Sequence, residues 1–355
     1  KKIVFTSNVK DLYSCDIVYF AEDIKTNQEN ISDLKSYKKF INKILEKLNR
    51  KSIVIILSQV PPGFSRNIIW EEDKLFYQVE TLIFGKAIER SMSPERIIVG
   101  SKNKNNIPQI YKNLLKKYKC PIIIMDYESA ELTKISINLY LISQVSLTNI
   151  LSHLVNNLDG NWENIRKSLQ LDKRIGKHSY LKPGLGISGG NLERDLVTIQ
   201  ETLRKYNIKT KLFKEHEKIS NFFNNWPSLK LTEVIKKYNI KNPIIGIMGL
   251  TYKKNTDSLK NSPAIKFIKN NKKYKKIVYD PVIKKIKNNN NLKFIKSINN
   301  LILKSSILVV MNDWDEFTLI NLKTFKMSKT IKVIIDPLGI LKKHKLNNHG
   351  FIYKS

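Results

Sequence analysis

Two cysteines in 355 residues, Cys15 and Cys120, leave no disulfide framework to read, and such sparing use fits a reducing, cytoplasmic setting. No continuous apolar run approaches the roughly 18 residues that span a bilayer, so no membrane partner is expected. The chain opens on Lys1-Lys2-Ile3-Val4-Phe5-Thr6, a strand-like start unlike a signal peptide, and the missing initiator Met points to residues upstream. The five histidines show no metal-ligand spacing. Acidic side chains are few: 31 Asp and Glu stand against 63 Lys and Arg, a formal net charge of +32. Arginine is scarce and stops at Arg204. A nucleic-acid binder concentrates Arg and aromatic residues on one surface. Here Lys, Asn and Ile are spread along the whole chain, and runs such as Lys272-Lys273-Tyr274-Lys275-Lys276 read as solvated faces. Nucleic acid is therefore not an expected partner, whereas anionic ligands, phosphates included, are.

What the chain does contain is an alternation of short β-branched runs with helix-spaced ones. Its 41% hydrophobic and 26% charged residues are the composition of a globular protein, and its length allows two or three domains with cores of their own. Asp16–Ala21 and Ser52–Leu57 read as buried parallel strands, with a helix over Ile31–Leu48 between them; Arg96–Gly100 and Pro121–Asp126 continue the series. From Ser129 to about Leu154 the pattern is helical, without Gly or Pro, and a second helix follows over Glu193–Tyr206. Polar turns at Asn221–Pro243 read as a boundary. Beyond it, strands are expected at Pro243–Gly249, Lys276–Asp280, Ile307–Met311 and Lys332–Asp336. The expected fold class is α/β: two Rossmann-like parallel-sheet domains joined by a long central helix, with ligands beyond the carboxyl ends of the strands. The expected boundaries are 1–128, a central helical region over 129–220, and 221–355.

Glycine is concentrated in Pro183–Leu196, where Gly184, Gly186 and Gly189 satisfy the G-x-G-x-x-G spacing of a dinucleotide turn. The preceding Lys177–Lys182 is no buried strand. About 20 positions on, where an acidic residue should grip a ribose, the chain reads Ile208-Lys209-Thr210-Lys211. A loop that admits a ligand to close backbone contact is the better reading. Lys134 and Asn138, four residues apart, share a helix face and can converge on one oxygen; alone, they read rather as a solvated Lys and a surface Asn. Asp195 reads equally as a charge in the first turn of the helix opened by Asn191.

Several blocks then occur in one order along almost the whole chain. Ser58-Gln59-Val60-Pro61-Pro62-Gly63 is similar to S-T-V-P-P-G, and Ala130-Glu131-Leu132-Thr133-Lys134 with Asn138 to A-E-x-x-K-x-x-x-N. Asp172-Lys173-Arg174-Ile175-Gly176 is similar to D-x-R-I-G. Gly249-Leu250-Thr251-Tyr252-Lys253-Lys254-Asn255-Thr256-Asp257, ending at Ser262-Pro263, is close to G-L-A-F-K-P-N-T-D-D…S-P and is the most specific of the set. Tyr279-Asp280-Pro281 and Asn312–Phe317 agree with later blocks. With these the chain resembles the UDP-glucose/GDP-mannose dehydrogenase family, which oxidises the 6-hydroxymethyl of a sugar nucleotide to a carboxylate with NAD. The resemblance implies NAD-dependent oxidation of a UDP-sugar by a homodimer paired through the long helix.

By that resemblance, Lys134 stabilises the developing oxyanion, Asn138 holds the same group or its water, and Asp195 orients or activates the water. Glu80 stands at the first Glu of P-E-F-L-R-E-G, while Phe84 occupies the second and leaves its acid/base role vacant. Gly186 and Gly189 of the loop, with Lys253 and Lys260, face the substrate's phosphates or sugar. Lys260 stands where the family has Arg and lacks its two-pronged grip. Pro61, Gly63 and Arg194 border the NAD. Two departures stand out. The chain begins just after the point where the family carries G-x-G-Y-V-G, the pyrophosphate cradle. Asn191 takes the place of the cysteine in G-x-G-G-S-C-x-P-K-D, and an amide cannot serve as that nucleophile. The alternative expectation is a catalytically impaired sugar-nucleotide-binding protein.

Overall fold

The computed structural model describes residues 3–83, 85–286 and 292–355; Phe84, the expected vacancy, lies outside them. The chain divides into two compact units, Lys1–Leu139 with Arg194–Lys209, and Tyr140–Glu193 with Thr210–Ser355.

In the first unit the chain runs β1 (Ile17–Phe20), α1 (Leu34–Leu45), β2 (Ile53–Ile56), β3 (Leu75–Gln78), α2 (Ala87–Met92), β4 (Ile97–Gly100), α3 (Gln109–Lys116) and β5 (Ile122–Met125). It then enters the long helix α4 (Tyr127–Asn157). The sheet order is β1-β2-β3-β4-β5, parallel except for the antiparallel β3/β4 step. Strand residues alternate between two cores, as the period of two requires. Val18, Val54, Ile56, Tyr77 and Ile98 meet Tyr37 and Ile41 of α1 and Ala130 of α4. Ile53, Ile55, Phe76 and Val99 meet Tyr111 and Leu115 of α3. α1 starts where Asp33 accepts from Ser36 N at 3.0 Å. It buries Tyr37, Ile41, Ile44 and Leu45, one helical stripe, and turns its lysines outward.

The second unit takes the rest of α4, then α5 (Trp162–Leu171), the glycine-rich loop and the first residues of α6 (Asn191–Lys205), whose remainder belongs to the first unit. After α7 (Leu212–Lys237) come β6 (Ile244–Met248), α8 (Pro263–Asn270), β7 (Lys275–Tyr279), β8 (Lys293–Phe294), α9 (Ile298–Lys304) and β9 (Ile307–Val310). The chain ends through α10 (Asp315–Thr318), α11 (Leu322–Met327), β10 (Val333–Ile335) and β11 (Ile352–Lys354). The sheet is parallel throughout, in the order β8-β7-β6-β9-β10-β11. Succession reverses at β6/β9, the switch point beyond which a doubly wound sheet binds its ligands. At the end of β7, Asp280 Oδ2 accepts from Leu250 N at 2.7 Å, and Oδ1 accepts from Val282 N and Ile283 N at 2.9 Å each.

One expectation is corrected. Asn221–Pro243 is no boundary of turns: α7 runs through most of it, with Pro227 inside the helix. The ring deprives one turn of its hydrogen bond, but Trp226, Leu231 and Val234 bury the same face, so packing overrides the break. α4 also gathers enough apolar residues to cross a membrane by length and composition, with a mean hydropathy of 1.2 over 18 residues. Polar residues interrupt that stretch, so no continuous run showed it. Several of them, Ser146, Thr148, Asn149 and Ser152, are buried. Thr148 Oγ1 donates to Tyr180 O and Asn149 Oδ1 accepts from Gly184 N, so these polar groups are satisfied within the protein.

Nine non-glycine residues among those described have positive φ, and six are asparagines: Asn30, Asn207, Asn239, Asn242, Asn255 and Asn261. Asn tolerates the left-handed region better than other residues with a β-carbon. Asn207 and Asn239 close α6 and α7 in this way, so abundant Asn does the work of scarce Gly.

Candidate functional site

In the first unit, the loop after β2 and the faces of α4 and α6 bring one set of side chains together. Asp195, in the second turn of α6, is 1% exposed. Gln59 Nε2 donates to its Oδ1 and Asn138 Nδ2 to its Oδ2. Arg194 donates in turn to Gln59 Oε1, and its Nε, 3.6 Å from Asp195 Oδ1, has no hydrogen-bond partner among the described residues. Burial pushes the Asp195 carboxyl above its usual range, while Arg194, the two amides and Lys134 pull it back. Burial lowers the Lys134 ammonium below its usual range, and the charges of Glu80 and Asp195 oppose that shift. Glu80 is half-buried and accepts from Leu82 N. Glu80, Lys134, Asn138, Arg194 and Asp195 therefore fall in one neighbourhood, with the Asp195 carboxyl raised and the Lys134 ammonium lowered.

Beside them lies a cavity of about 270 Å³, lined by Gln59, Pro61, Pro62, Arg194, Asp195 and Thr198 among others. Pro61 and Arg194, two of the residues expected to border the NAD, both line this cavity. Gly63 is outside that lining: its N–H is taken by the buried Glu131. A dinucleotide fits these residues in part. The buried Arg194 Nε, beside Asp195, has no hydrogen-bond partner among the described residues, and the cavity admits a portion of such a ligand. Among the described residues of this unit no G-x-G-x-x-G turn is present to cradle a pyrophosphate.

In the second unit the glycine-rich loop is fixed from below by α7. Ile187 N donates to Ser220 Oγ at 2.9 Å, and Asn224 Nδ2 donates to Ile187 O at 3.4 Å. At Gly186 and Gly189 the close approach is made by the protein itself. A β-carbon on Gly186 would lie 2.7 Å from Ser220 O, and one on Gly189 2.4 Å from the ring of Tyr252. The loop ends in half a capping box, with Gly190 N donating to Glu193 Oε2 at 2.8 Å, so that Asn191 opens α6 with an exposed side chain. Lys260 packs along Gly190, and the Lys253 ammonium lies 5.6 Å from the Tyr252 ring centroid. Burial lowers the Lys253 pKa.

A larger cavity of about 540 Å³ also belongs to this unit, lined by Trp162, Lys182, Gly184, Trp226, Leu338 and Lys342 among others. None of Gly186, Gly189, Lys253 and Lys260 lines it. Its lining combines aromatic with cationic side chains, Trp162 and Trp226 with Lys182 and Lys342.

Sequence reasoning missed Gln59, Glu131, Ser220, Asn224 and Tyr252. Gln59 and Glu131 lay inside recognised blocks without a partner in view. Asn224 lay in the segment read as polar turns, and Ser220, one helical turn before it, stood just ahead of that segment.

Three sequence profiles match the chain: the NAD binding domain of the UDP-glucose/GDP-mannose dehydrogenase family over residues 1–119, its central domain over 128–221 and its UDP binding domain over 246–343. A UDP-glucose 6-dehydrogenase of Rickettsia bellii is 28% identical over 99% of this chain and 84% of its own length. One of Campylobacter jejuni is 30% identical over 77% of this chain and 68% of its own. Among solved structures, a UDP-glucose dehydrogenase from Pyrobaculum islandicum shares the fold with a TM-score of 0.83 at 19% identity, covering 99% of this chain and 82% of that one. A UDP-D-ManNAc dehydrogenase from Pyrococcus horikoshii matches with a TM-score of 0.83 at 23% identity, covering 98% and 82%.

Proposed function

The chain belongs to the UDP-glucose/GDP-mannose dehydrogenase family, and from that premise we propose that it oxidises the 6-hydroxymethyl of a UDP-linked sugar. It is an oxidoreductase of the nucleotide-sugar dehydrogenase type, and its cofactor is NAD. When bound, NAD supplies the acceptor for the hydride that leaves the sugar carbon. The observation that carries the proposal is the convergence of Gln59, Asn138 and Lys134 on the buried Asp195.

Asp195 takes the hydroxyl proton through a water that it orients; a carboxyl raised by burial is the better base near neutral pH. Lys134 meets the developing oxyanion with its ammonium, and Asn138 holds the same oxygen or its water. The charge of Glu80 opposes the lowering of the Lys134 pKa by burial. Pro61, Gly63 and Arg194 form the wall for NAD. The loop at Gly186 and Gly189, with Lys253 and Lys260, holds the sugar nucleotide, and the aromatic cavity takes its base. We also propose a homodimer through α4. Tyr140, Leu147, Ile150 and Leu154 form an exposed stripe at heptad-like spacing on that helix. The two free cysteines suit a cytoplasmic enzyme.

NADH formation from UDP-glucose and NAD tests the proposal, with UDP-glucose binding followed by calorimetry. NADH together with binding supports it. The absence of both sinks it. A second reading, a sugar-nucleotide-binding protein without full dehydrogenase activity, is favoured by Asn191, an exposed amide where the family places its nucleophile. It predicts binding with no NADH, or a single NADH per sugar where the reaction ends at the aldehyde. Two NADH per sugar would exclude it.

A further inference from the structure

Glu131 is fully buried on α4, where a carboxylate persists only if its oxygens are bonded. It has no ion pair among the described residues. Its Oε2 accepts from Gly63 N at 2.5 Å and its Oε1 from Ser65 N at 2.8 Å. Gly63 has a φ of +89°, so the loop turns there through the left-handed region and aims both N–H groups at one carboxylate. Four residues earlier the same loop presents Gln59, which donates to Asp195 and accepts from Arg194. Lys134 and Asn138 follow Glu131 by three and seven residues, the spacing of one helix face. One stretch of helix therefore carries the anchor of the loop, the candidate oxyanion group and one of the two amides on Asp195.

We propose that Glu131 is a positioning residue for the reaction: its carboxylate ties the Ser58–Ser65 loop to α4, so that Gln59 and Asn138 hold Asp195 from two sides beside Lys134. The proposal rests on the reading of Asp195 and Lys134 as the reacting groups. Its chemistry makes the tie sensitive to pH. Two N–H donors to a carboxylate form charge-assisted bonds, and protonation turns one acceptor into a donor. Burial pushes Glu131 up to about 7, with Glu128 adding to the shift and the Gly63 and Ser65 N–H groups opposing it. The titratable groups facing it are Glu128 and Tyr127 of α4 and Tyr77 of β3; both phenols are raised by burial, and Glu128 is held by Arg66. The tie is complete above neutral pH and weakens below it.

The test compares wild type with Glu131→Gln, which places an amide NH2 against a backbone N–H. Amide exchange at Gly63 and Ser65 should quicken in the variant, and kcat for NADH formation should fall about ten- to a hundredfold with KM changed less than about threefold. The wild-type to variant kcat ratio should grow as pH rises through about 7, whereas titrations of Asp195 and Lys134, common to both proteins, leave that ratio flat. Glu131→Asp, which keeps the charge, should recover part of the loss and is the readable variant if Glu131→Gln does not fold. Unchanged exchange, undiminished kcat or a pH-independent ratio would each overturn the proposal. Absence of NADH from wild type and variant alike would count against the dehydrogenase reading, and the exchange contrast would then decide the tie by itself.

Discussion

At Asp195, burial and hydrogen bonding pull in opposite directions, and burial wins. A carboxyl whose folded pKa lies above its unfolded value keeps its full stabilising effect below the unfolded pKa and loses it as pH climbs through the folded one. Asp195→Asn removes that dependence. Its melting temperature relative to wild type should therefore become more positive as pH rises from about 4 toward about 8, and NADH formation should fall by about a hundredfold or more. A melting difference that ignores pH would contradict the assignment of burial as the cause. Lys134→Met removes a cation whose field lowers the Asp195 pKa, so the pH at which activity appears should move upward, measured as a shifted pH–kcat/KM profile. Lys134 and Asn138 could be singled out from the sequence because their relation is local, one turn of helix. Gln59 and Glu131 could not, since their partners lie 136 and 66 to 68 residues away and chain distance carries no trace of a loop folded against a helix.

Gly186 and Gly189 sit three residues apart in one loop, yet their obstacles differ in kind. The space beside Gly189 is filled by the Tyr252 ring, which can swing; that beside Gly186 is bounded by the backbone carbonyl of Ser220, which cannot. Both have positive φ, at +82° for Gly186 and +96° for Gly189, so either substitution carries backbone strain of about 1 kcal/mol or more. Gly189→Ala should weaken UDP-glucose binding and be partly rescued by Tyr252→Ala, whereas Gly186→Ala should not be rescued by Ser220→Ala. Calorimetry across the two double-mutant cycles reads the difference, and equal rescue in both would refute the packing argument. The same contrast between local and tertiary causes decided which elements were legible. α1, α4 and α6 announce themselves by spacing. β3 is four residues long and pairs antiparallel to β4, a relation no alternation of strands and helices discloses. α7 hides behind Pro227 and a run of asparagines, because what sustains it is the sheet beneath Trp226, Leu231 and Val234.

For the whole molecule, the stripe on α4 and the charge of +32 have separate consequences. If the stripe pairs two copies, Leu147→Lys with Leu154→Lys should sediment at half the wild-type mass; a wild type that already sediments as a monomer would dispose of the dimer. The excess of lysine should make sugar-nucleotide affinity fall as salt rises toward physiological strength, since screening shortens the reach of that field to about 8 Å. The six parallel strands of the second unit follow the order of a dinucleotide fold, and Asp280 stands at the end of the second of them, where such folds keep a free carboxylate for ribose hydroxyls. Here both of its oxygens are already occupied by backbone N–H groups of its own unit. An adenine dinucleotide arriving at that sheet would find its usual handhold taken, so strand order alone does not choose the guest of such a sheet; whether one carboxylate is left unemployed does.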